Sequence, residues 1–392
     1  MILFYNLSND IGADFAVKCN SVFTLSFKAF STNELTDNNG LPILDSAGKL
    51  INYEYNLYKE SIMAIKECFI ELNGQRYKAE LKGDHYEVQV QAPAKSSWPE
   101  ADHVYKLTVG ATDMAGNTET VTSDDATYGN QLKLRVLETS KPTITVVSPQ
   151  NASVYGKTTV DFKFELNDEG WSGINRRAIV FKVNGKQVEW NGDDEHPESG
   201  LIGGTHQNGG SVECFRTTVE SDADGHEKVI LTYSAKDLSD GQCTYSLEIA
   251  DHDGNKSDKV EGNFVVATAA PTLVVDTPTD NLITNDGTVK VSGHASMTDP
   301  NAKIEANVTI NVNGNEVTAE IGPDGKFEKT VTIPDGEATV TITAKSNNGK
   351  ETVVTRTVTV DKTKPVITDI VTTPLTTNVN GMITVTFKVV DA

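Results

Sequence analysis

The chain reads as an all-β protein, tandem β-sandwiches in an elongated array, and three observations predict this. A strand, an Asn-Gly pair and a second strand occur together three times: FIELNGQRYKAEL from Phe69, VFKVNGKQVEW from Val180 and TINVNGNEVTAEI from Thr309. A β run between two prolines also recurs: TSKPTITVVSPQ from Thr139, TAAPTLVVDTPTD from Thr268 and KTKPVITDIVTTP from Lys362. The length, 392 residues, exceeds one ordinary domain and suggests roughly two to four.

Each unit opens on an alternating strand. These read FTLSFKAF from Phe23, TVDFKFELND from Thr159 and ITVTFKVVDA from Ile383. Alternation puts Phe23, Leu25 and Phe27 on one face, matched by Val160, Phe162 and Phe164, and by Val385, Phe387 and Val389. The Asn-Gly segment follows. Both central residues of a type I′ turn need positive φ, so Asn-Gly between alternating apolar residues predicts a two-residue hairpin. A late strand pair closes the unit: YKLTVGATDMAGNTETV from Tyr105, YSLEIADHDGNKSDKV from Tyr245 and VTITAKSNNGKETVV from Val340. Ala115-Gly116-Asn117, Asp253-Gly254-Asn255 and Asn347-Asn348-Gly349 form the tight turns between those strands.

Proline suits the start of an edge strand, where its missing N–H leaves no ladder bond unmade. Pro142, Pro271 and Pro365 lie 129 and 94 residues apart. The shorter spacing is the size of an immunoglobulin-like sandwich, and the longer is the same domain with an insertion. The predicted domains are 1–139, a possible docking domain; 140–267, with a long insertion at 190–227; 268–361; and 362–392, the start of a further sandwich. That last unit stops after its second strand. Two strands cannot bury a sandwich core, which predicts either a longer natural chain or completion by a strand from another chain. NYEYNLYKESIMAIKE, 52–67, fits either a turn of helix or a loop entering a strand.

The chain carries 34 Lys+Arg against 55 Asp+Glu, a formal net charge of −21. Such a polyanion repels nucleic acid and anionic membrane, so neither is an expected partner. No stretch reaches the roughly 18 apolar residues that span a bilayer. MILFYNLSNDIGADF lacks a basic segment and a long apolar run, and is read as no secretory signal. Cys19, Cys68, Cys214 and Cys243 form no CxxC pair, and the favoured reading is four buried free thiols.

The T-x-P-x-I strand starts, the Asp-x-x-Gly-Asn turns and the valine/threonine-rich strands resemble bacterial immunoglobulin-like repeats. These look like the modules of large bacterial surface adhesins and of phage tail and baseplate proteins. The resemblance runs well from Thr139 to Ala392 and more loosely over the first 139 residues. It implies a non-enzymatic structural or adhesion component of a phage virion, tail or baseplate, assembled in the host cytoplasm, present in multiple copies and projecting its repeats to the host surface. The implied partners are other virion proteins and a host-surface glycan or protein. The alternatives are a bacterial cell-surface adhesin stalk, or accessory modules of a secreted glycan-active enzyme.

Candidate sites follow from residue chemistry. Asp251, Asp253 and Asn255 are the leading candidates for calcium, which needs six to eight hard oxygens that stacked sandwiches supply at a joint. Asp222 with Asp224, Asp276 with Asp280, and Asp361 with Asp369 are further acidic pairs near joints. The alternative is that Asp and Asn form ordinary turns there. The insertion WNGDDEHPESGLIGGTHQNGGSVECFRTTVESDADGHE, 190–227, offers Trp190, His196, His206 and Phe215 as partner-binding candidates; a decorated hairpin without a ligand is the plain reading. His196, His206 and His226 lack the spacing of a compact metal site. Trp98, Trp171 and Trp190 fit sugar stacking, and fit core packing better. No HExxH, GxSxG, Walker loop or GxGxxG is present, so no catalytic residue is assigned.

Overall fold

The computed structural model describes residues 2–9, 16–31, 65–83, 85–190, 204–205, 211–212, 214–221, 224–373 and 378–391. Among these the regular structure is β-strand with three short 3-10 turns. The fold is a succession of immunoglobulin-like sandwiches, as the alternation predicted.

One strand pattern repeats three times. An opening strand pairs antiparallel with the next long strand: Ile2–Asn9 with Val22–Ser31, Thr143–Ser148 with Val160–Asn167, and Thr272–Thr277 with Thr288–Ser296. A three-residue strand then pairs parallel with the closing strand. Ala16–Lys18 joins Lys133–Leu137, Ser153–Tyr155 joins Val260–Val266, and Leu282–Thr284 joins Glu351–Val360. Pro149 and Pro278 stand between these two pairings, where a missing N–H does no harm.

The Asn-Gly hairpins form in the predicted register. Leu72 faces Gln75, Val183 faces Lys186 and Val312 faces Asn315, leaving two-residue loops. Asn73, Asn184 and Asn313 have φ of 50°, 49° and 47°, and their glycines 75°, 77° and 94°. Those are the positive-φ pairs a type I′ turn requires.

The alternating faces become the cores. Phe23, Leu25, Phe27, Val88, Val90, Leu107, Val109 and Leu134 are buried together in the first sandwich. Val291, Val308, Ile310, Val340, Ile342 and Val358 form the third core. In the second, Phe181 lies edge-on to Phe162 at 5.4 Å and to Phe215 at 6.2 Å. Burying each such ring stabilises the fold by about 1.5–3 kcal/mol. Gly110 faces Phe69 across the strand pair, and a Cβ there would lie 2.1 Å from Phe69 Cζ. The ring thus packs on bare backbone, and the Arg76 guanidinium lies over it, 3.7 Å from its centre.

Two elements depart from the sequence reading. The insertion at 190–227 was expected as a loop, yet Cys214–Ser221 is a strand. It pairs antiparallel with Glu227–Ala235 and parallel with Lys186–Trp190. That strand joins the second sandwich's strands into one nine-stranded sheet, whereas the third keeps separate three- and five-stranded sheets. In the segment 52–67, residues 65–67 begin the strand Ile65–Leu72, and 52–64 lie outside the described residues.

The chain divides into two compact units. One comprises Met1–Pro149, Asp161–Ser234 and Thr244–Gly262; the other comprises Gln150–Val160, Ala235–Cys243 and Asn263–Ala392. Within the second, Val366–Thr373 and Thr384–Val390 form a two-stranded antiparallel sheet. Val385, Phe387 and Val389 are exposed there, where the matching residues Val160, Phe162 and Phe164 are buried. The four cysteines are free; Cys68 and Cys243 are buried, Cys19 and Cys214 half-buried.

Candidate cation site at the first joint

Three carboxylates converge where the first sandwich hands over to the second. Glu138 directly follows the closing strand Lys133–Leu137, Asp168 directly follows Val160–Asn167, and Asp251 opens the late turn Asp251-His252-Asp253-Gly254-Asn255. They are 5 %, 1 % and 1 % exposed, and one carboxylate oxygen of each lies within 4.8 Å of the others.

The late turn is built locally. Asn255 N–H donates to Asp251 Oδ1 and its Nδ2 to Oδ2, both at 2.7 Å. The first sandwich makes the same closure between Asn117 and Asp113, both bonds 2.8 Å, on the exposed surface. An Asp-x-x-Gly-Asn turn therefore forms without any cluster. Here two non-local carboxylates join it, Glu138 from the end of the first sandwich and Asp168 from the second.

Glu138 is seated by that turn. Its backbone N–H donates to Asp253 Oδ2 at 2.9 Å, and Asn255 Nδ2 donates to its Oε1 at 3.0 Å. Ser172 Oγ donates to Glu138 Oε1 at 3.1 Å, and Ser140 N–H donates to Oε2. Asp168 accepts from Gly173 N–H at 2.7 Å and Gly170 N–H at 3.2 Å. Glycine at 170 is required by space, because a Cβ there would lie 2.0 Å from Glu138 Cδ.

Among the described residues, the partners of the three carboxylates are backbone N–H groups, Ser172, the Asn255 amide and one another. Among the described residues no Lys or Arg pairs with them. Burial, then hydrogen bonding to Asp251, pushes the Glu138 carboxyl up to about 7. Burial also raises Asp168, against the backbone N–H bonds that lower it. Cys19, whose N–H donates to Leu137 O, is pushed up to about 11 by burial and by Asp253 and Glu138. Buried carboxylates at this separation resist joint ionisation unless a positive charge sits among them. Three inward-facing hard oxygens, with backbone carbonyls such as Glu138 O nearby, are the donor type for calcium or a similar divalent cation.

Aromatic stacks flank the cluster. The first-sandwich segment after His85–Gln91 places Trp98 between His103, 3.9 Å away, and His252 of the late turn, 4.0 Å away. From the same segment, Lys95 Nζ sits 3.3 Å from the centre of the Trp171 ring. Trp171 meets His226 at 4.4 Å on a backbone with φ of 68°. Trp98 and Trp171 are thus joint anchors, a role separate from both sugar stacking and a sandwich core.

The sequence candidates separate accordingly. Asp251 lies in the cluster; Asn255 binds two of its members; Asp253 holds the Glu138 backbone without its own carboxylate joining the three. Phe215, taken as a partner contact, is 1 % exposed and packs on Phe181, so it belongs to the core. Trp190 is half-buried at the end of Lys186–Trp190, its Nε1 without a hydrogen-bond partner among the described residues. His196, His206 and Asp222 lie outside the described residues, and Asp224 is exposed. Asp280 caps Thr357 N–H, Asp361 caps Thr363 N–H and Asp369 pairs with Lys388 at 2.8 Å, so these acids serve turns and surface pairs. Glu138 and Asp168 escaped sequence reasoning. Their one signal is position, immediately before the Thr139-Ser140-Lys141-Pro142 strand start and at the end of an early strand.

Comparison with known proteins adds the following. Residues 271–362 match the family model described as glucodextranase, domain B. No curated protein matches the chain. Among solved structures, the chain is similar to the fibronectin(III)-like modules of Clostridium thermocellum CbhA. Identity is 14%, over 56% of this chain and 94% of that one, at a TM-score of 0.35. It is similar to the D1–D4 ectodomain of ICAM-5 at 11% identity, over 93% and 79% of the chains, TM-score 0.42. It is also similar to a Ca2+-stabilised adhesin of an Antarctic bacterium, at 16% identity over 92% and 74%, TM-score 0.31.

Proposed function

We propose that this chain is a non-catalytic structural segment of a surface-attachment protein, and that a calcium ion at Glu138, Asp168 and Asp251 stiffens its first joint. One observation carries the reading: three buried carboxylates, without a cationic partner among the described residues, at the point where one sandwich passes to the next. A bound divalent cation would offset their repulsion and tie the end of the first sandwich to a strand end and a turn of the second. A rigid spacer holds a binding element away from its base, and repeated copies turn weak contacts into avidity.

A phage tail or baseplate component and a bacterial adhesin stalk are both forms of this function. Immunogold labelling with antibody against residues 140–361 separates them: gold on tails of intact virions supports the first, and gold on the cell envelope with bare virions supports the second. Gold on neither surface contradicts the attachment reading.

The match of residues 271–362 to glucodextranase domain B favours a second reading, an accessory module beside a glycan-active enzyme. Its test is polysaccharide binding by the chain, with hydrolysis by the full product of the gene. A chain that retains no polysaccharide, from a product that hydrolyses none, removes it.

A further inference from the structure

Strand register makes the linker 267–271 the counterpart of the linker 138–142 in the next repeat. Thr143 faces Asn167 as Thr272 faces Ser296, and Asp251 N–H meets Asn255 O as Ser346 N–H meets Lys350 O. Counted from those pairings, Glu138, Asp168 and Asp251 correspond to Ala267, Met297 and Ser346. All three carboxylates are gone from the later linker.

A carboxamide stands in their place. Asn348, at the position of Asp253, is 7 % exposed. Its Nδ2 donates to Ala267 O at 2.6 Å and to Ala269 O at 2.8 Å. Its Oδ1 accepts from Lys350 N–H at 2.9 Å and from Ser346 Oγ at 2.5 Å. Thr352 Oγ1 adds a bond to Pro271 O at 2.5 Å. Backbone packs tightly here as well, since a Cβ on Gly156 would lie 2.4 Å from Asn348 O. Both protons of one amide are spent on the linker and its oxygen on the turn that carries it, so neutral hydrogen bonds fix this segment with no charge to compensate.

We propose that the two linkers are held by different chemistry: 138–142 by a divalent cation on carboxylates, and 267–271 by Asn348 without any cation. Cation withdrawal then loosens the first linker alone. This rests on the calcium reading of the first joint.

The test is hydrogen–deuterium exchange on the full chain in calcium and in EGTA, followed at peptides spanning 136–142 and 265–272. The expected result is faster exchange at 136–142 in EGTA, by about tenfold, with 265–272 unchanged. Asn348→Asp keeps the shape and removes the donors, and is expected to speed exchange at 265–272 equally in both buffers. Protection of 265–272 that depends on calcium overturns the proposal, as does unchanged protection in Asn348→Asp. Indifference of both linkers to calcium removes the cation reading and the contrast with it, and a faster 265–272 in Asn348→Asp then identifies that failure as the cation's alone.

Discussion

The backbone N–H of Glu138 donates to Asp253 Oδ2 at 2.9 Å, across 115 residues of sequence. The residue that follows one sandwich's closing strand is thereby held by the late turn of the next. The Glu138 side chain turns inward to Asp168 and Asp251, so one residue supplies both a backbone tether and one member of the carboxylate cluster.

Calcium should raise the melting temperature of the first unit, and neutralising Asp168 should abolish the increase. Asp168→Asn keeps size and one acceptor while removing a buried charge. Calorimetry in EGTA is expected to find the variant as stable as the parent or more so, since a repelling charge is gone. In calcium the parent should gain several degrees and the variant none.

Gly170→Ala should act as a steric probe of the same site. The new methyl meets the Glu138 carboxyl at 2.0 Å, so Glu138 must leave its seat. Urea denaturation should register a loss of about 1–3 kcal/mol, together with loss of the calcium effect. A variant that keeps the calcium effect would mean Glu138 is no ligand.

Acid should favour the cation-free joint. Glu138 titrates near 7 when folded and near its ordinary 4.5 when unfolded. Its folded pKa is raised, so the native state holds the proton longer. Stability from this group is full below about pH 4.5 and lost as pH rises through about 7. In EGTA, melting temperature is expected to fall across that window. Calcium offsets the decline across that window by taking the proton's place.

Gly110→Ala tests the core away from the joint. Its Cβ would strike the Phe69 ring, and a cost of about 1–3 kcal/mol is expected from denaturation. The calcium effect should be unaltered, which makes this variant a control for the two above.

Local signals were legible in the sequence, and register was not. The Asn-Gly hairpins were readable because Asn73-Gly74, Asn184-Gly185 and Asn313-Gly314 need only their own φ angles. Asp251 and Asn255 were readable for the same reason, as a turn closed by its own side chains. Glu138 and Asp168 joined them only through strand ends that non-local pairing brings together. Cys214–Ser221 lay hidden in a Gly- and Asp-rich insertion, and Phe215 was taken for a surface residue because the strand that buries it carries little alternation beyond Phe215 and Thr217. Trp98 and Trp171 were readable as aromatics and not as joint anchors, since His252 and Lys95 reach them from the neighbouring sandwich.

Calcium titration calorimetry on the full chain near pH 7.5, beside Asp168→Asn, tests the central claim most directly. The account predicts a binding event at or below about millimolar calcium that is absent from the variant. Heat that is identical in parent and variant, or absent from both, would contradict it.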